Sequence, residues 1–133
     1  MTSPTFVNPA HLHDPRPNGY SLAAIAPEGT RLAFVSGQGA QDATGALPAD
    51  FGAQVEAAYD NLAAALEAVG ASPEAVVKLT TFVVDHSPDK LAPLTAAVLS
   101  RFGDTPPAQT LIGVSALAVP GMLFEVEAVA VVA

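Results

Sequence analysis

The sequence predicts an α+β fold with the element order β-β-α-β-α-β-β. Two segments repeat apolar residues three and four positions apart, which is the period of a helix packed on one face. Five other segments are rich in apolar and β-branched residues without that period, which is typical of strands. A length of 133 residues suits one domain, 1–133, with a single hydrophobic core.

The amino-terminal part combines an irregular segment with two strands. Residues 1–19 are rich in Pro, Asn and His and show no periodicity, so we expect them to be irregular. Residues 21–27 and 31–36 predict two strands, and Glu28-Gly29 between them is a turn signal. A further turn is predicted at residues 42–45.

Two stripes of apolar residues, each bounded by residues typical of helix ends, predict two helices. The first begins after the N-cap Asp50 and ends at Gly70. The second begins near Ser87-Pro88 and ends at Gly103. The stripes consist of Phe51, Val55, Ala58, Leu62, Leu66 and Val69 in the first helix, and Leu91, Leu94, Val98 and Phe102 in the second.

The remaining strands complete a mixed or mainly antiparallel sheet. Residues 76–85 are apolar on both faces, which predicts a central strand, and residues 108–114 and 122–132 close the chain. Two helices can cover only one face of this sheet. Because the strands are apolar on both faces, we expect another copy of the chain to cover the second face, giving an obligate homo-oligomer.

The composition excludes several classes of protein. Hydrophobic residues make up 50% and charged residues 14% of the chain, which argues against disorder. There is no cysteine, so disulfides and thiolate chemistry are excluded. A net charge of -8 with five Lys and Arg residues disfavours nucleic acid and anionic membranes as partners. The sequence shows no signal peptide, so we expect a cytoplasmic protein whose ligand is small and either uncharged or locally paired.

Polar residues interrupt the last two predicted strands. Glu125 and Glu127 point to the same side of their strand, roughly 7 Å apart, and two anions there need a partner, a proton or a wet cavity. Glu125 is a candidate for orienting or deprotonating a water, although pairing with Lys78 or exposure at a subunit edge explains it equally. Glu127 fits a salt bridge between subunits. Gln109 either binds a neutral carbonyl or amide, or satisfies backbone groups at a strand end.

Other motifs give weaker indications. Ser36-Gly37-Gln38-Gly39 offers backbone N–H groups to a small oxyanion but lacks the third glycine of a dinucleotide fingerprint, so a strand-end turn explains it too. The segment His11-Leu12-His13-Asp14 has no third histidine nearby, and we expect no metal site and no cofactor. Gly113-Val114-Ser115 does not fit a nucleophile elbow, which argues against a serine hydrolase.

Several motifs occur in the order found in a known family. They are Gly19-Tyr20-Ser21, Ser36-Gly37-Gln38, Gln54 with Asn61-Leu62, residues 77–83, Pro107-Ala108 and Glu125-Val126-Glu127-Ala128. Through them, residues 19–133 resemble the RidA/YjgF family. The resemblance implies a chorismate-mutase-like fold, a homotrimer with ligand clefts between subunits, and hydrolysis of small reactive enamines and imines such as 2-iminopropanoate. Some members of the family have also been described as endoribonucleases.

The chain departs from the deaminating members of this family at two positions. Those members have an arginine directly after Pro-Ala that binds the substrate carboxylate, and here Gln109 stands in its place. In an ungapped alignment of the second helix, Thr95 occupies the position at which those members have an asparagine. Tyr20 and Glu125 are retained. The resemblance thus assigns catalysis to Glu125 and Tyr20, and substrate binding to Gln109, Thr95, Ser36 and Gly37, with surface or packing roles as the alternative for Tyr20 and Thr95.

Two main functions follow. The first is a trimeric hydrolase of small imines or enamines whose substrate differs from simple 2-imino acids, because a neutral amide cannot replace the charged, bidentate grip of a guanidinium. The second is a non-catalytic trimer that binds a small ligand or a partner in the same cleft. RNA cleavage is a third possibility, which the excess of acidic residues disfavours.

Overall fold

The computed structural model describes residues 3–133. Two α-helices and six strands occur in this range. Their bounds are β1 (Thr5–Val7), β2 (Ala23–Ile25), β3 (Arg31–Gln38), α1 (Phe51–Ala68), β4 (Val76–Val84), α2 (Leu91–Phe102), β5 (Ala108–Val114) and β6 (Phe124–Val132). No helix among the described residues is long and apolar enough to cross a bilayer.

Four strands form one mixed sheet in the order β3-β6-β4-β5. Strand β6 is antiparallel to both β3 and β4, and β4 is parallel to β5. Both helices pack on one face, which confirms the predicted α+β fold. The parallel β4–β5 pair is possible because α2 supplies the crossover between the two strands.

The core lies between the helices and this face of the sheet. Phe124, Val126 and Ala128 alternate along β6 toward the helices and are almost fully buried. Phe124 stacks at 5.7 Å on Tyr59 of α1, measured between ring centroids. Asp50 caps α1 by accepting a hydrogen bond from the Ala53 N–H, as the sequence predicts.

The sheet face away from the helices, here called the outer face, carries large apolar side chains in contact with solvent. Phe34 on β3 is 76% exposed, and Leu32 and Ile112 are also exposed. Register pairs Phe82 with Glu125 and Thr80 with Glu127 on this face. Among residues 3–133 nothing covers Phe34, so the outer face has the character of an interface.

The prediction that residues 1–19 are irregular is wrong for part of this segment. Thr5–Val7 forms β1, which pairs antiparallel with β2, and residues 16–18 form a single 3-10 turn. The strand predicted at residues 21–27 is shorter and pairs with β1 instead of β3. A three-residue strand is too short to show an alternating pattern, and the Asn8 side chain that accepts from the Leu22 N–H gives no signal in sequence. Residues 1 and 2 lie outside the described range.

Two amide side chains on α1 hold the loops that surround the sheet. Gln54 is 1% exposed; its Nε2 donates to the Pro48 and Gly121 carbonyls, and its Oε1 accepts from the Leu123 N–H. Asn61 Nδ2 donates to the carbonyls of Gly39 and Gln41. The motif Gln54…Asn61 is therefore explained by loop attachment.

We predict that Gln54→Met lowers the free energy of unfolding by about 2–4 kcal/mol, because it leaves a buried N–H and two carbonyls without partners. Chemical denaturation at fixed protein concentration measures this loss. Glu67→Met, on the exposed side of the same helix, is the control and should change stability by no more than about 0.5 kcal/mol. Equal effects of the two substitutions would contradict this role of Gln54.

Candidate functional site

A cavity of about 440 Å³ lies between α2 and the edge strand β5. Its floor is apolar, and three polar side chains of sequence-predicted site residues reach it: Tyr20, Thr95 and Gln109. The complete lining is Asn18, Tyr20, Leu91, Leu94, Thr95, Val98, Gln109, Thr110 and Leu111. An apolar pocket with a few convergent polar groups is the usual form of a small-molecule site.

The residues on either side of Tyr20 fix its position over this cavity. Gly19 has a left-handed backbone (φ 87°), and a Cβ added there would lie 3.4 Å from Val98 Cβ of α2. Ser21 is buried; its N–H donates to the Pro107 carbonyl at 3.0 Å and its hydroxyl donates to the Pro106 carbonyl. Tyr20 is therefore held between α2 and the start of β5.

The Tyr20 hydroxyl has a partner that the sequence did not reveal. His13 Nε2 lies 2.8 Å from the Tyr20 oxygen, within hydrogen-bond distance. Six residues that include a single 3-10 turn separate His13 from Tyr20, so no periodicity could have predicted the contact. The described residues contain no group of three His, Cys, Asp or Glu side chains that could hold a metal ion.

Gln109 and Thr95 each donate a hydrogen bond to another group of the same chain. Gln109 Nε2 donates to Thr81 Oγ1 at 3.3 Å, and Thr81 is fully buried on the helix side of the sheet. Thr95 Oγ1 donates to the Asn18 carbonyl at 3.2 Å. Gln109 thus lies on the cavity wall while it also satisfies a buried hydroxyl.

The other predicted site residues lie in a separate group on the outer face. Glu125 lies against Gly37 so closely that a Cβ added to the glycine would be 2.1 Å from Glu125 Oε1. Ser36 precedes this contact and is exposed. The structure thus brings Glu125, Gly37 and Ser36 together but does not bring them to Tyr20, Thr95 and Gln109.

The pairing of Glu125 with Lys78 that the sequence left open is not formed within the chain. Lys78 Nζ donates instead to Thr110 Oγ1 at 2.8 Å. Within residues 3–133 neither Glu125 nor Glu127 makes an ion pair. Two carboxylates on a largely apolar face are therefore left to solvent or to a neighbouring molecule.

Comparison with known proteins identifies the family. The family model described as Endoribonuclease L-PSP matches residues 13–132. A structure of a protein of unknown function from Yersinia pestis, YyfB of the Rid family, is 38% identical, with a TM-score of 0.92 over 98% of this chain and 99% of that chain. The chain belongs to the RidA/YjgF family.

Two further solved structures extend the comparison. A putative endoribonuclease from Thermotoga maritima is 32% identical, with a TM-score of 0.69 over 97% of this chain and 98% of that chain. Escherichia coli TdcF with bound serine is 25% identical, with a TM-score of 0.68 over 95% of this chain and 94% of that chain. A comparison with curated proteins finds no match.

Many residues of the RidA/YjgF motifs in this chain have a structural role. Gly19 and Ser21 place Tyr20, Gly37 makes room for Glu125, and Gln54 and Asn61 hold loops. Tyr20 at the cavity and Glu125 on the outer face are among the motif side chains that have no such structural role.

We predict that Gly37→Ala lowers stability by about 1–3 kcal/mol, because the new methyl group overlaps the Glu125 carboxylate. Gly37 does not have a positive φ, so contact rather than backbone strain is the cause. The loss should shrink in a Glu125→Ala background, as measured by a double-mutant cycle in urea. Gly113→Ala on β5 is the control, since its nearest neighbour would be 3.4 Å away. Additive effects at positions 37 and 125 would contradict the contact.

Proposed function

We propose that the protein hydrolyses the C=N bond of small imine or enamine metabolites in a cleft formed between copies of the chain. The observation that carries this proposal is the apolar cavity lined by Tyr20 and Gln109, at the position where the family resemblance places the substrate. The size of about 440 Å³ suits a small metabolite. The serine bound to the relative TdcF supports a ligand of that size.

A second copy is needed because the two groups of site residues lie on opposite faces of the sheet. Tyr20, Thr95 and Gln109 line the helix-side cavity, whereas Ser36, Gly37 and Glu125 lie on the outer face. The outer face also exposes Phe34, Leu32 and Ile112. We therefore propose a homotrimer in which the outer face of one subunit closes the cavity of the next and brings Glu125 to it.

The proposed hydrolysis requires only a water molecule as the nucleophile and a carboxylate as the general base. Water adds to the carbon of the C=N bond while Glu125 accepts a proton from that water, and Tyr20 binds the nitrogen or the developing hydroxyl group. Glu125 returns this proton to the nitrogen, which gives a carbinolamine. Transfer of the remaining hydroxyl proton to the nitrogen then breaks the C–N bond, so imine plus water yields a carbonyl compound plus ammonia. No cofactor takes part in this sequence.

Gln109 determines which substrates suit the cavity. Hydrogen bonds to charged groups are worth about 1.5–3 kcal/mol, so replacing the arginine by a neutral amide weakens carboxylate binding about tenfold to a hundredfold. The proposed substrate is therefore an imine without a carboxylate next to the C=N bond.

A non-catalytic trimer that binds a small ligand in the same cleft is the alternative proposal. It requires the cavity and the interface but no base, so it predicts that Glu125→Gln leaves ligand affinity unchanged and that no imine is turned over. Cleavage of RNA, suggested by the name of the family model, is disfavoured by the net charge of -8.

We predict that the protein sediments as a trimer and that Phe34→Arg shifts it toward monomers, because the substitution buries a charge at an apolar contact. Analytical ultracentrifugation over a range of dilutions measures the shift. The control is Val69→Arg, an exposed apolar position at the end of α1, which should leave the trimer intact. Equal behaviour of the two variants would exclude the outer face as the interface.

We predict that the protein accelerates hydrolysis of carboxylate-free imines made in situ by an amine oxidase, and acts weakly on 2-iminopropanoate made by an amino-acid oxidase. Glu125→Gln should lower kcat by about a hundredfold or more while ligand binding persists. Gln109→Arg should raise kcat/KM for 2-iminopropanoate about tenfold. Absence of turnover on every imine would favour the binding protein instead.

A further inference from the structure

A second cavity lies in the helical layer, between the second half of α1 and the C-terminal end of α2. Its volume is about 130 Å³. The walls are formed by Tyr59, Leu62, Ala63 and Leu66 of α1 and by Arg101 and Phe102 of α2. None of these residues lines the cavity between α2 and β5. The outer face lies on the other side of the sheet, so a contact between subunits there leaves this second cavity open.

The walls of the second cavity are mainly apolar. Leu62 and Leu66 are core residues, 1% and 2% exposed, and Phe102 packs against the same core. An apolar cavity of about 150 Å³ is large enough to hold benzene. The size of the second cavity therefore suits a ligand of about six non-hydrogen atoms.

Two of the lining residues carry a buried polar atom without a hydrogen-bond partner among residues 3–133. These atoms are Tyr59 Oη and Arg101 Nε. Tyr59 is 2% exposed, and burial raises the pKa of its hydroxyl above the usual value, so the hydroxyl keeps its hydrogen. The Nε–H group of arginine is a donor and never an acceptor. A buried tyrosine hydroxyl usually has a partner, and a buried donor without one destabilises the fold.

Salt bridges hold Arg101 through another of its nitrogens. Nη2 lies 2.8 Å from Glu56 Oε2 and 3.0 Å from Asp60 Oδ1, and the guanidinium carbon lies 5.6 Å from the centroid of the Tyr59 ring. Two carboxylates beside one guanidinium leave an excess of negative charge, which disfavours an anionic ligand. Both carboxylates are exposed, and exposed ion pairs are weak. A small shift of the outer part of Arg101 therefore opens the way to Nε and to Tyr59 Oη.

We propose that the second cavity binds a small neutral molecule with an apolar body and an acceptor oxygen, such as a short ketone, with Tyr59 and Arg101 as the hydrogen-bond donors. The leucine side chains and Phe102 contact the apolar body of the ligand. Its oxygen accepts from the Tyr59 hydroxyl and from Arg101 Nε. The inference does not depend on the proposed hydrolysis, since the two cavities share no lining residue.

Three probes with the same number of non-hydrogen atoms test this preference: cyclopentanone, its hydrocarbon analogue methylenecyclopentane, and the anion butyrate. In a purely apolar cavity the hydrocarbon would bind more tightly, because the ketone loses its hydrogen bonds with water. Here cyclopentanone should bind at least as tightly as methylenecyclopentane, with a Kd of about 1 mM, and about tenfold more tightly than butyrate. Tighter binding of either other probe would overturn the proposal.

Methyl NMR spectra of the full-length protein measure these affinities and locate the ligand. The signals of Leu62 and Leu66 report the second cavity, whereas those of Leu94 and Val98 report the cavity between α2 and β5. The proposal predicts that cyclopentanone shifts the signals of Leu62 and Leu66. Shifts confined to Leu94 and Val98 would overturn it. The absence of any shift well above the expected Kd would also overturn it, because water alone would then satisfy the two donors.

Tyr59→Phe removes one donor and retains the aromatic ring. Because the hydroxyl has no partner within the described chain, this substitution should not lower the midpoint of urea denaturation. It should weaken cyclopentanone binding about tenfold and leave methylenecyclopentane binding unchanged. A loss of stability, or equal weakening of both probes, would show a merely structural role and would overturn the assignment of Tyr59 as a donor.

Ala63→Leu tests the location without removing a polar group. Ala63 is an exposed residue of α1 at the cavity, so a leucine there fills the cavity with little effect on the helix. Binding of cyclopentanone at Leu62 and Leu66 should be lost. The matched control is Ala64→Leu, at an exposed position of the same helix outside the lining, and it should bind like the wild type. Equal binding by the two variants would overturn the proposed site.

Discussion

The alternation of side chains along a strand is the constraint on which the proposed site depends. Gln109 faces the helix side of the sheet with Leu111 and Thr81, whereas Glu125 faces the outer side with Phe82. A single sheet cannot turn these two side chains into one cavity. Either the two groups work separately, or a second copy brings its outer face to the cavity of the first.

The outer face has properties that suit such a contact. Phe34 and Ile112 are exposed to solvent, and neither Glu125 nor Glu127 forms an ion pair with another described residue. In the proposed trimer this apolar area drives association, and Glu125 reaches the cavity of the neighbouring subunit.

The sequence predicts the fold well because helix periodicity, caps and apolar strands are local signals. The family motifs point to Tyr20 and Gln109, and the structure places both at one cavity together with Thr95. The sequence could not show that Glu125 lies on the other face from Gln109, since that depends on the register of two strands with β4 between them. The His13–Tyr20 contact and β1 arise from long loops and a three-residue pairing, for which no sequence period exists. The motif singled out Gln54 but could not show that it holds loops, because a buried amide on a helix is identical in sequence to an exposed one.

The most direct test of the shared cleft uses the absence of native cysteine from the chain. Gln109→Cys and Glu125→Cys subunits are mixed, allowed to exchange and treated with a short bismaleimide, and covalent dimers are counted on a denaturing gel. A cleft shared between subunits predicts dimers in the mixture and few in either variant alone, and none when Val69→Cys replaces Glu125→Cys. Monomer bands in the mixture, from a sample that remains oligomeric, would contradict the account.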